Sequence, residues 1–370
     1  MVARKKKKII KTKVKKIKKT SPKKKAVKPS KKRKKIALKR ALHNPVITPQ
    51  AYSWESKATF NPSAFEANNK VHLIYRAIGD NDTSVLGYAS SKDGYKIDER
   101  LPYFVYRRFN NFTKIDKTLL PIDYISGGGW NGGCEDPRLT RIGNMVYMLY
   151  TAFDGWGSLR IALTSIKLDD MEHKKWNWKK PVLISPPNEI NKNWVLFPEK
   201  INGKYAILHS ISPEIAIDYF TSLDELNGNK FIHSVHQGHP LWEKRDKLIR
   251  GVGPAPIKTK YGWLVFYHKM EPRDPHRYKI WAMILDANDP KKVLYNSNEP
   301  VLEPDLWYEN EGYKSGVIYS CGAVVKDGVL FVYYGGADTV SCVATANLDQ
   351  FLEELKTHKV LKLNPKNLQA

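Results

Sequence analysis

One short segment combines two carboxylates, an arginine and a run of glycines at a spacing that suits acid catalysis. Glu135, Asp136 and Arg138 are near neighbours, and Pro137 restricts the backbone of Asp136. Five glycines occur within residues 127–133 and allow a backbone to approach a ligand closely. A carboxyl group held in partly desolvated surroundings has a raised pKa and can act as a general acid. The alternative interpretation is a tight turn with a structural ion pair between Asp136 and Arg138.

A repeated pattern in the rest of the chain indicates what positions this segment. Five times, an apolar segment, a turn of two or three residues and an apolar-aromatic segment follow one another. Most turns contain Asn, Asp or Gly, which supply the positive φ angles of tight hairpins, and β-branched and aromatic residues favour strands. The second segments end at Tyr75, Tyr150, His209, His268 and Tyr334. Each copy therefore predicts a small antiparallel sheet.

Five such sheets predict an all-β chain folded as a five-bladed β-propeller. The alternative is a generic all-β protein of two domains. A propeller brings strand ends together around a central channel, where a ligand site draws residues from several blades. Helical periodicity is clearest over Leu348–Leu355, which predicts a short C-terminal helix.

The net charge of +25 is concentrated in a basic N-terminal tail. Residues 1–40 hold 22 Lys or Arg and no Asp or Glu, which leaves 40 basic and 37 acidic residues over 41–370. Like-charge repulsion predicts a disordered tail over 1–44, followed by the propeller over 45–358 and an extension over 359–370. The tail either binds nucleic acid or an anionic surface without sequence preference, or is a solvated segment without a specific partner.

Several classes of protein do not fit the sequence. It has no apolar run near the roughly 20 residues of a transmembrane helix, and no apolar stretch of a secretory signal. Three cysteines without metal-site spacing indicate a reducing compartment and predict no bound metal. We therefore expect a cytoplasmic protein, with its oligomeric state left open. The cysteines are Cys134, Cys321 and Cys342.

Seven motifs occur in order along nearly the whole body. They are Phe60-Asn61-Pro62, Tyr75-Arg76-Ala77, Gly133 to Arg138, Leu196 to Tyr205, Gly251 to Ile257, Gly262 to His268, and Tyr333 to Asp338. As an ordered set covering about residues 45–350, they resemble glycoside hydrolase family 130, the β-mannoside phosphorylases and β-mannosidases. The family's fold is a five-bladed β-propeller, so the resemblance implies the fold that the repeats predict.

The resemblance also implies roles for individual residues in an inverting cleavage of β-mannosides. Asp136 matches the general acid. Asn61, Arg76 and Asp338 match positions that hold the mannose ring, and Glu135 and Arg138 beside the acid are expected to bind substrate. His268 and Tyr278 match positions near the phosphate. Lys192, a cation expected near the site, is also predicted to bind phosphate.

In a phosphorylase, inorganic phosphate is the co-substrate and nucleophile, so no cofactor and no protein base are needed. Family phosphorylases usually carry an arginine directly after the histidine of the third blade, where this chain has His209-Ser210. A serine cannot make a bidentate, charged contact with phosphate. The cations that could replace the arginine are Lys192, Lys200, Arg250, Arg273 and Arg277.

Three alternatives to phosphorolysis therefore stay open. The first is an inverting β-mannosidase in which Glu189 or Glu214 activates water. The second is a non-catalytic glycan-binding propeller, and the third is a nucleic-acid binder that acts through the tail. The presence of Arg76, Asp136 and Asp338 together favours an enzyme.

Overall fold

The computed structural model describes residues 36–107, 132–153 and 159–357. Most of the predicted tail, the glycines at 127–129 and the predicted extension lie outside these ranges, so the interpretations given for them stay predictions. Lys39 and Arg40, at the end of the basic segment, form the first strand. No helix in the described ranges has the length and apolar character needed to cross a membrane.

Antiparallel strands dominate the described residues and fall into five groups along the chain. After β1 (Lys39–Arg40), the first group is β2 (Ala58–Ala67), β3 (Lys70–Ile78), β4 (Ser84–Ser91) and β5 (Glu99–Arg100). The second is β6 (Gly133–Ile142), β7 (Met145–Phe153), β8 (Leu159–Lys167) and β9 (Val182–Leu183), and the third is β10 (Val195–Leu196), β11 (Tyr205–Ser210) and β12 (Ala216–Phe220). The fourth is β13 (Ile249–Val252), β14 (Ile257–Thr259), β15 (Gly262–Glu271), β16 (Asp274–Leu285) and β17 (Val293–Asn296), and the fifth is β18 (Ile318–Lys326), β19 (Val329–Gly336) and β20 (Val340–Asn347).

Hydrogen bonding joins these groups into four sheets, none of which closes on itself within the described residues. A single parallel pair, Ser84 with Gly133, connects the first and second groups. Strand β1 pairs with β20, so the start of the described chain completes the last group. The chain is therefore mainly β, as predicted.

The hairpin turns are those that the sequence predicts. Asn68 and Asn69 between β2 and β3 have φ angles of 50° and 60°, and Asp327 and Gly328 between β18 and β19 have 51° and 74°. In both hairpins the flanking residues pair directly across a two-residue loop. Asn, Asp and Gly adopt this left-handed conformation most readily, which explains their recurrence.

Within the described ranges, three short α-helices accompany the strands: α1 (Leu168–Glu172), α2 (Trp307–Asn310) and α3 (Leu348–Lys356). The predicted C-terminal helix is confirmed as α3, whose Asn347 cap accepts a hydrogen bond from the backbone N–H of Gln350. Phe351, Leu352 and Leu355 of α3 are buried against β15, β16 and β18–β20 in one apolar cluster. This contact fixes the last strands and the loops between them.

Bulges in three strands direct side chains towards the site. Register shifts of one residue occur at Asn61-Pro62 in β2, at Asp136-Pro137 in β6 and at Arg250 in β13. Proline lacks an N–H for the ladder, so a strand accommodates it at a bulge. Because bulges redirect side chains, these strands turn Asn61, Asp136 and Arg250 towards a common space.

Candidate active site

A cavity of about 370 Å³ is lined by residues from all five strand groups. Six of the residues singled out by the sequence line it: Asn61, Arg76, Asp136, Lys192, Tyr278 and Asp338. Glu135, Arg138 and His268 are buried and lie behind this lining. Residues more than 270 positions apart in the sequence therefore share one site.

Asp136 stands at the bulge in β6 with a φ of 49° and is 4% exposed. Its Oδ1 accepts hydrogen bonds from Asn61 Nδ2 at 2.8 Å and from Arg76 Nη1 at 3.2 Å. Burial by itself would raise the pKa of Asp136, but the charges of Arg76, Lys192 and Arg138 outweigh it and lower the pKa to about 2. In the ligand-free site this carboxyl group is therefore ionised.

Arg76 ties the two adjacent carboxylates together. Its Nη2 donates to Glu135 Oε1 at 2.8 Å, and its Nε donates to Ser84 Oγ at 3.0 Å. The guanidinium also lies over the ring of Phe60, 4.8 Å from its centroid. Burial lowers the pKa of Arg76, but the neighbouring carboxylates more than offset this, so its pKa is raised and its charge is permanent.

Arg138 supports the backbone of the site. Its Nη1 donates to the carbonyl oxygen of Asp136 at 2.8 Å, and its Nε donates to that of Gly253 at 3.0 Å. Its Nη2 donates to Asn193 Oδ1 at 2.9 Å and to the hydroxyl of Tyr319 at 3.1 Å. These contacts join β6 to β13, β18 and the segment before β10, so Arg138 holds Asp136 in place from behind.

Asp338 faces the cavity from the turn after β19, where its φ is 51°. Lys314 Nζ lies 3.8 Å from Asp338 Oδ2. Burial raises the pKa of Asp338, and Lys314 and Arg76 oppose the shift while Asp136 adds to it. Asp136 and Asp338 therefore have pKa values displaced in opposite directions.

A second part of the cavity is rich in cations. Lys192 Nζ lies 3.8 Å from Glu135 Oε2, and burial lowers the pKa of Lys192 although Glu135 and Asp136 act against it. The guanidinium of Arg250 lies over the ring of Tyr278, 5.4 Å from its centroid. Arg245 contributes a third positive group to the same lining. An anion entering the cavity meets these groups.

His268 occupies a position behind this cationic lining. It is fully buried, and its ring stacks on Tyr319 with the centroids 4.0 Å apart. Its Nε2 accepts a hydrogen bond from the backbone N–H of Ser320 at 2.9 Å. Burial, helped by the charge of Arg138, lowers the pKa of His268 to about 3. The imidazole is therefore neutral and orients Tyr319, which itself lines the cavity.

The cations proposed to replace the missing arginine separate into two sets. Lys192 and Arg250 line the cavity, as does Ser210 itself. Lys200 lies over the ring of Tyr205, and Arg273 is largely exposed and paired with Glu271. Arg277 donates to the carbonyl oxygen of Pro304 at 2.6 Å. Only the first set can touch a molecule in the cavity.

The two glutamates considered as water-activating bases do not line the cavity. Glu189 Oε1 lies 3.1 Å from His236 Nε2, and its Oε2 accepts a hydrogen bond from Asn191 Nδ2 at 3.2 Å. Glu214 is exposed. Another carboxylate, Asp246, reaches the lining, but it is paired with Lys269 at 3.0 Å.

Sequence reasoning missed several lining residues: Asn193, Arg245, Lys314 and Tyr319. The signal for Asn193 is its φ of 66° beside Lys192, but a lone Asn in a loop does not identify a site. Within the described ranges, no group of three or more His, Cys, Asp or Glu could hold a metal ion.

Comparison with known proteins gives relatives along nearly the whole chain. The family model for glycoside hydrolase family 130, described as beta-1,4-mannooligosaccharide phosphorylase, matches residues 5–357. A 1,2-beta-oligomannan phosphorylase of Thermoanaerobacter sp. strain X514 is 40% identical over 320 residues, which are 84% of this chain and 97% of the relative. A beta-1,2-mannobiose phosphorylase of the same strain is 37% identical over 303 residues, covering 82% and 94%.

Solved structures share the fold. A putative glycoside hydrolase from Bacteroides ovatus superimposes with a TM-score of 0.66 at 27% identity, over 84% of this chain and 96% of the other. The beta-1,2-mannobiose phosphorylase of Listeria innocua, solved with beta-1,2-mannobiose, gives a TM-score of 0.63 at 24% identity, over 87% and 99%. The family match and the 40% identical relative show that the chain belongs to glycoside hydrolase family 130.

Proposed function

We propose that the protein cleaves β-mannosides by phosphorolysis, with inversion, and releases mannose 1-phosphate. The observation that carries the proposal is a single cavity that joins a clamped carboxyl group, Asp136, to a cationic wall of Lys192, Arg250 and Arg245. A carboxyl group and an anion site are what a phosphorylase needs, because phosphate supplies the nucleophile. The matching family model and the two relatives at 37–40% identity are named for mannoside phosphorylases, which supports this reading.

In the proposed reaction, Asp136 protonates the leaving glycosidic oxygen while phosphate attacks the anomeric carbon from the opposite face. The bond from that carbon to the leaving oxygen breaks, and a bond to a phosphate oxygen forms. A hydrogen phosphate dianion supplies the proton that the leaving alcohol keeps, so the acid is restored in each turnover. Asn61, Arg76 and Asp338 hold the mannose ring beside the acid, and Glu135 and Arg138 fix the groups that touch it.

The low pKa of Asp136 links the two substrates. Without ligands, the carboxylate is stabilised by the positive charges of Arg76, Lys192 and Arg138. A phosphate dianion beside Lys192 would offset part of that positive potential and raise the pKa of Asp136. The acid therefore gains its proton when phosphate is bound, which couples protonation to the presence of the nucleophile.

The phosphate contacts that we propose come from Lys192, Tyr278 and Arg250. His268 was also predicted to bind phosphate, and we assign it an indirect part because it is neutral and stacks behind Tyr319. Hydrolysis is a weaker reading, since Glu189 is held by His236 and Asn191 outside the cavity lining and Glu214 is exposed. Neither of the two glutamates considered as bases is therefore placed to activate water in the cavity.

We further propose that the five strand groups are the blades of a propeller and that the substrate is a β-1,2-linked mannoside. Five groups of antiparallel strands lining one cavity support the propeller. The linkage is supported by two relatives, which are named for 1,2-beta-oligomannan and beta-1,2-mannobiose. A cytoplasmic location and binding of anionic polymers by residues 1–40 stay predictions.

Product analysis tests the proposal. The purified protein is incubated with β-1,2- and β-1,4-linked mannobiose, with and without inorganic phosphate, beside the Asp136→Asn variant. Mannose 1-phosphate formed by the wild type only with phosphate, and faster from the β-1,2 substrate, is the expected result. Free mannose formed at the same rate in both buffers would overturn phosphorolysis in favour of hydrolysis. Absence of any product would favour a glycan-binding protein.

A further inference from the structure

One wall of the cavity carries a guanidinium positioned over an indole ring. Residues Trp242–Lys244 form a single 3-10 turn, and Arg245 follows it directly. The Arg245 Cζ atom lies 3.7 Å from the centroid of the Trp242 ring. Both side chains are partly buried, and both line the cavity together with Ser210 and Arg250. Nothing in the sequence motifs assigns a role to either residue.

The backbone that carries Arg245 is anchored on both sides. The N–H of Asp246 donates to Ser212 Oγ at 2.8 Å, and the N–H of Leu248 donates to Asp246 Oδ1 at 2.9 Å. Lys269 Nζ lies 3.0 Å from Asp246 Oδ2. These contacts connect the segment to Ser212 beyond β11 and to β15, so the position of Arg245 is set by the same strands that carry Ser210 and His268.

Stacking on an aromatic face prepares a guanidinium for binding an anion. The attraction between the cation and the ring holds the plane parallel to the indole and leaves the N–H groups pointing outwards along its edge. That edge matches two oxygens of a phosphate, which a serine hydroxyl cannot do. Ser210 Oγ in addition donates to the carbonyl oxygen of Ser212 at 3.0 Å. The positive charge on this wall therefore comes from Arg245 and Arg250.

We infer that Arg245, stacked on Trp242, makes the charged, bidentate phosphate contact on the wall where Ser210 stands. This inference rests on the proposed phosphorolysis, and it assigns the anion site a residue that was absent from the cations considered from sequence. Arg245 and Arg250, five residues apart around the start of β13, then face the phosphate with Lys192. Trp242 acts as a positioning residue, since it touches the guanidinium and not the phosphate.

The test separates the binding of phosphate from the binding of the mannoside. Initial rates of Arg245→Ala are measured against inorganic phosphate at saturating β-1,2-mannobiose, and then against mannobiose at saturating phosphate. We expect KM for phosphate to rise at least about tenfold, as for loss of a charge-assisted contact, with KM for mannobiose changed by less than about twofold. Lys247→Ala is the matched control. Lys247 lies two residues after Arg245 and is exposed, and the substitution also removes one positive charge.

Two further variants keep the test decisive. Arg245→Lys retains the charge without the planar fork and should still raise KM for phosphate, which decides the question if Arg245→Ala does not fold. Ser210→Arg in the Arg245→Ala background should lower KM for phosphate again by restoring an arginine on the same wall. Unchanged KM for phosphate in both Arg245 variants, or a rise in KM for mannobiose alone, would overturn the assignment.

The outcome for the wild type distinguishes this inference from the proposed function. If the wild type forms mannose 1-phosphate and the Arg245 variants bind phosphate normally, the function stands and the role of Arg245 is wrong. If the wild type forms only free mannose at a rate independent of phosphate, the proposed function fails and the inference fails with it.

Discussion

Strands β2 and β6 contain the same kind of bulge but place different side chains in the site. Asn61-Pro62 in β2 and Asp136-Pro137 in β6 each form a bulge of one residue, with φ angles of 48° and 49° at the residue before proline. The backbone geometry is therefore nearly the same in both groups. One bulge offers an amide and the other a carboxylate, and the amide donates to the carboxylate at 2.8 Å. The same bulge places both side chains in the site, and the type of side chain determines whether the position donates a hydrogen bond or carries the acid.

The largest effect is expected from a substitution that gives both bulges an amide side chain. Asp136→Asn keeps the shape but removes the acid, and we expect kcat to fall by about 10²- to 10⁴-fold, the usual size of a general-acid contribution. Rates of mannose 1-phosphate release measure it, with circular dichroism as the control for folding. Activity within about twofold of the wild type would show that the proton comes from another group.

A substitution that gives both bulges a carboxylate tests how charge near Asp136 sets its pKa. Asn61→Asp replaces a donor to Asp136 Oδ1 with a second negative charge, which should raise the pKa of the Asp136 carboxyl group. We expect the alkaline limb of the pH–kcat profile, where the general acid loses its proton, to move to higher pH by about one pH unit or more. The Asn61→Ala variant removes the hydrogen bond without adding charge. If both variants have the same profile, the charge is not what matters.

Steric displacement of one bulge gives a smaller effect. A Cβ atom at Gly335 would lie 2.2 Å from Asn61 Oδ1 and 2.9 Å from the Asn61 backbone nitrogen. Gly335→Ala should therefore shift Asn61 and raise KM for the mannoside several-fold, with KM for phosphate nearly unchanged. Gly328→Ala, in the turn between β18 and β19, meets no atom within 4 Å but strains the backbone at a φ of 74°, so it is the control for destabilising the same sheet away from Asn61. A larger effect on phosphate than on mannoside would contradict the assignment of Asn61 to the sugar.

The smallest effect is on stability at low pH. The pKa of Asp136 is lowered from 3.8 to about 2 in the folded protein, so its ionised form stabilises the fold above pH 3.8 and this stabilisation is lost as pH falls towards 2. Urea titrations of wild type and Asp136→Asn at pH 6 and pH 3 measure the change. We expect the wild-type advantage in free energy of unfolding to shrink by about 1 kcal/mol between the two pH values. An advantage that grows on acidification would mean that burial, and not Arg76, dominates the carboxyl group.

The sequence predicted the parts of the structure that depend on local patterns. Hairpins at Asn68-Asn69 and Asp327-Gly328 follow from turn chemistry, and α3 follows from helical periodicity and its Asn347 cap. The convergence of Asn61, Arg76, Asp136 and Asp338 was expected from the family resemblance and is seen in the cavity lining. The Asn-Pro and Asp-Pro pairs inside strand patterns were signals for the bulges, since proline interrupts a ladder.

Local patterns could not predict contacts that depend on the path of the longer loops. Arg245 follows a turn between β12 and β13, and only the folded chain brings it beside Ser210. Arg138 and His268 have side chains typical of binding sites, but their hydrogen-bond partners include backbone groups such as the Asp136 carbonyl and the Ser320 N–H. Residue type predicted contact with substrate or phosphate, and burial is the reason why we propose a supporting role for both residues instead.

The measurement that tests the central claim most directly follows the oxygen atoms of phosphate. The wild type is incubated with β-1,2-mannobiose and fully ¹⁸O-labelled inorganic phosphate, and the products are followed by phosphorus and proton NMR. The account predicts α-mannose 1-phosphate that keeps all of the labelled phosphate oxygens, because phosphate attacks the anomeric carbon. Free mannose without a phosphorylated product, or a β-configured phosphate ester, would contradict inverting phosphorolysis at Asp136.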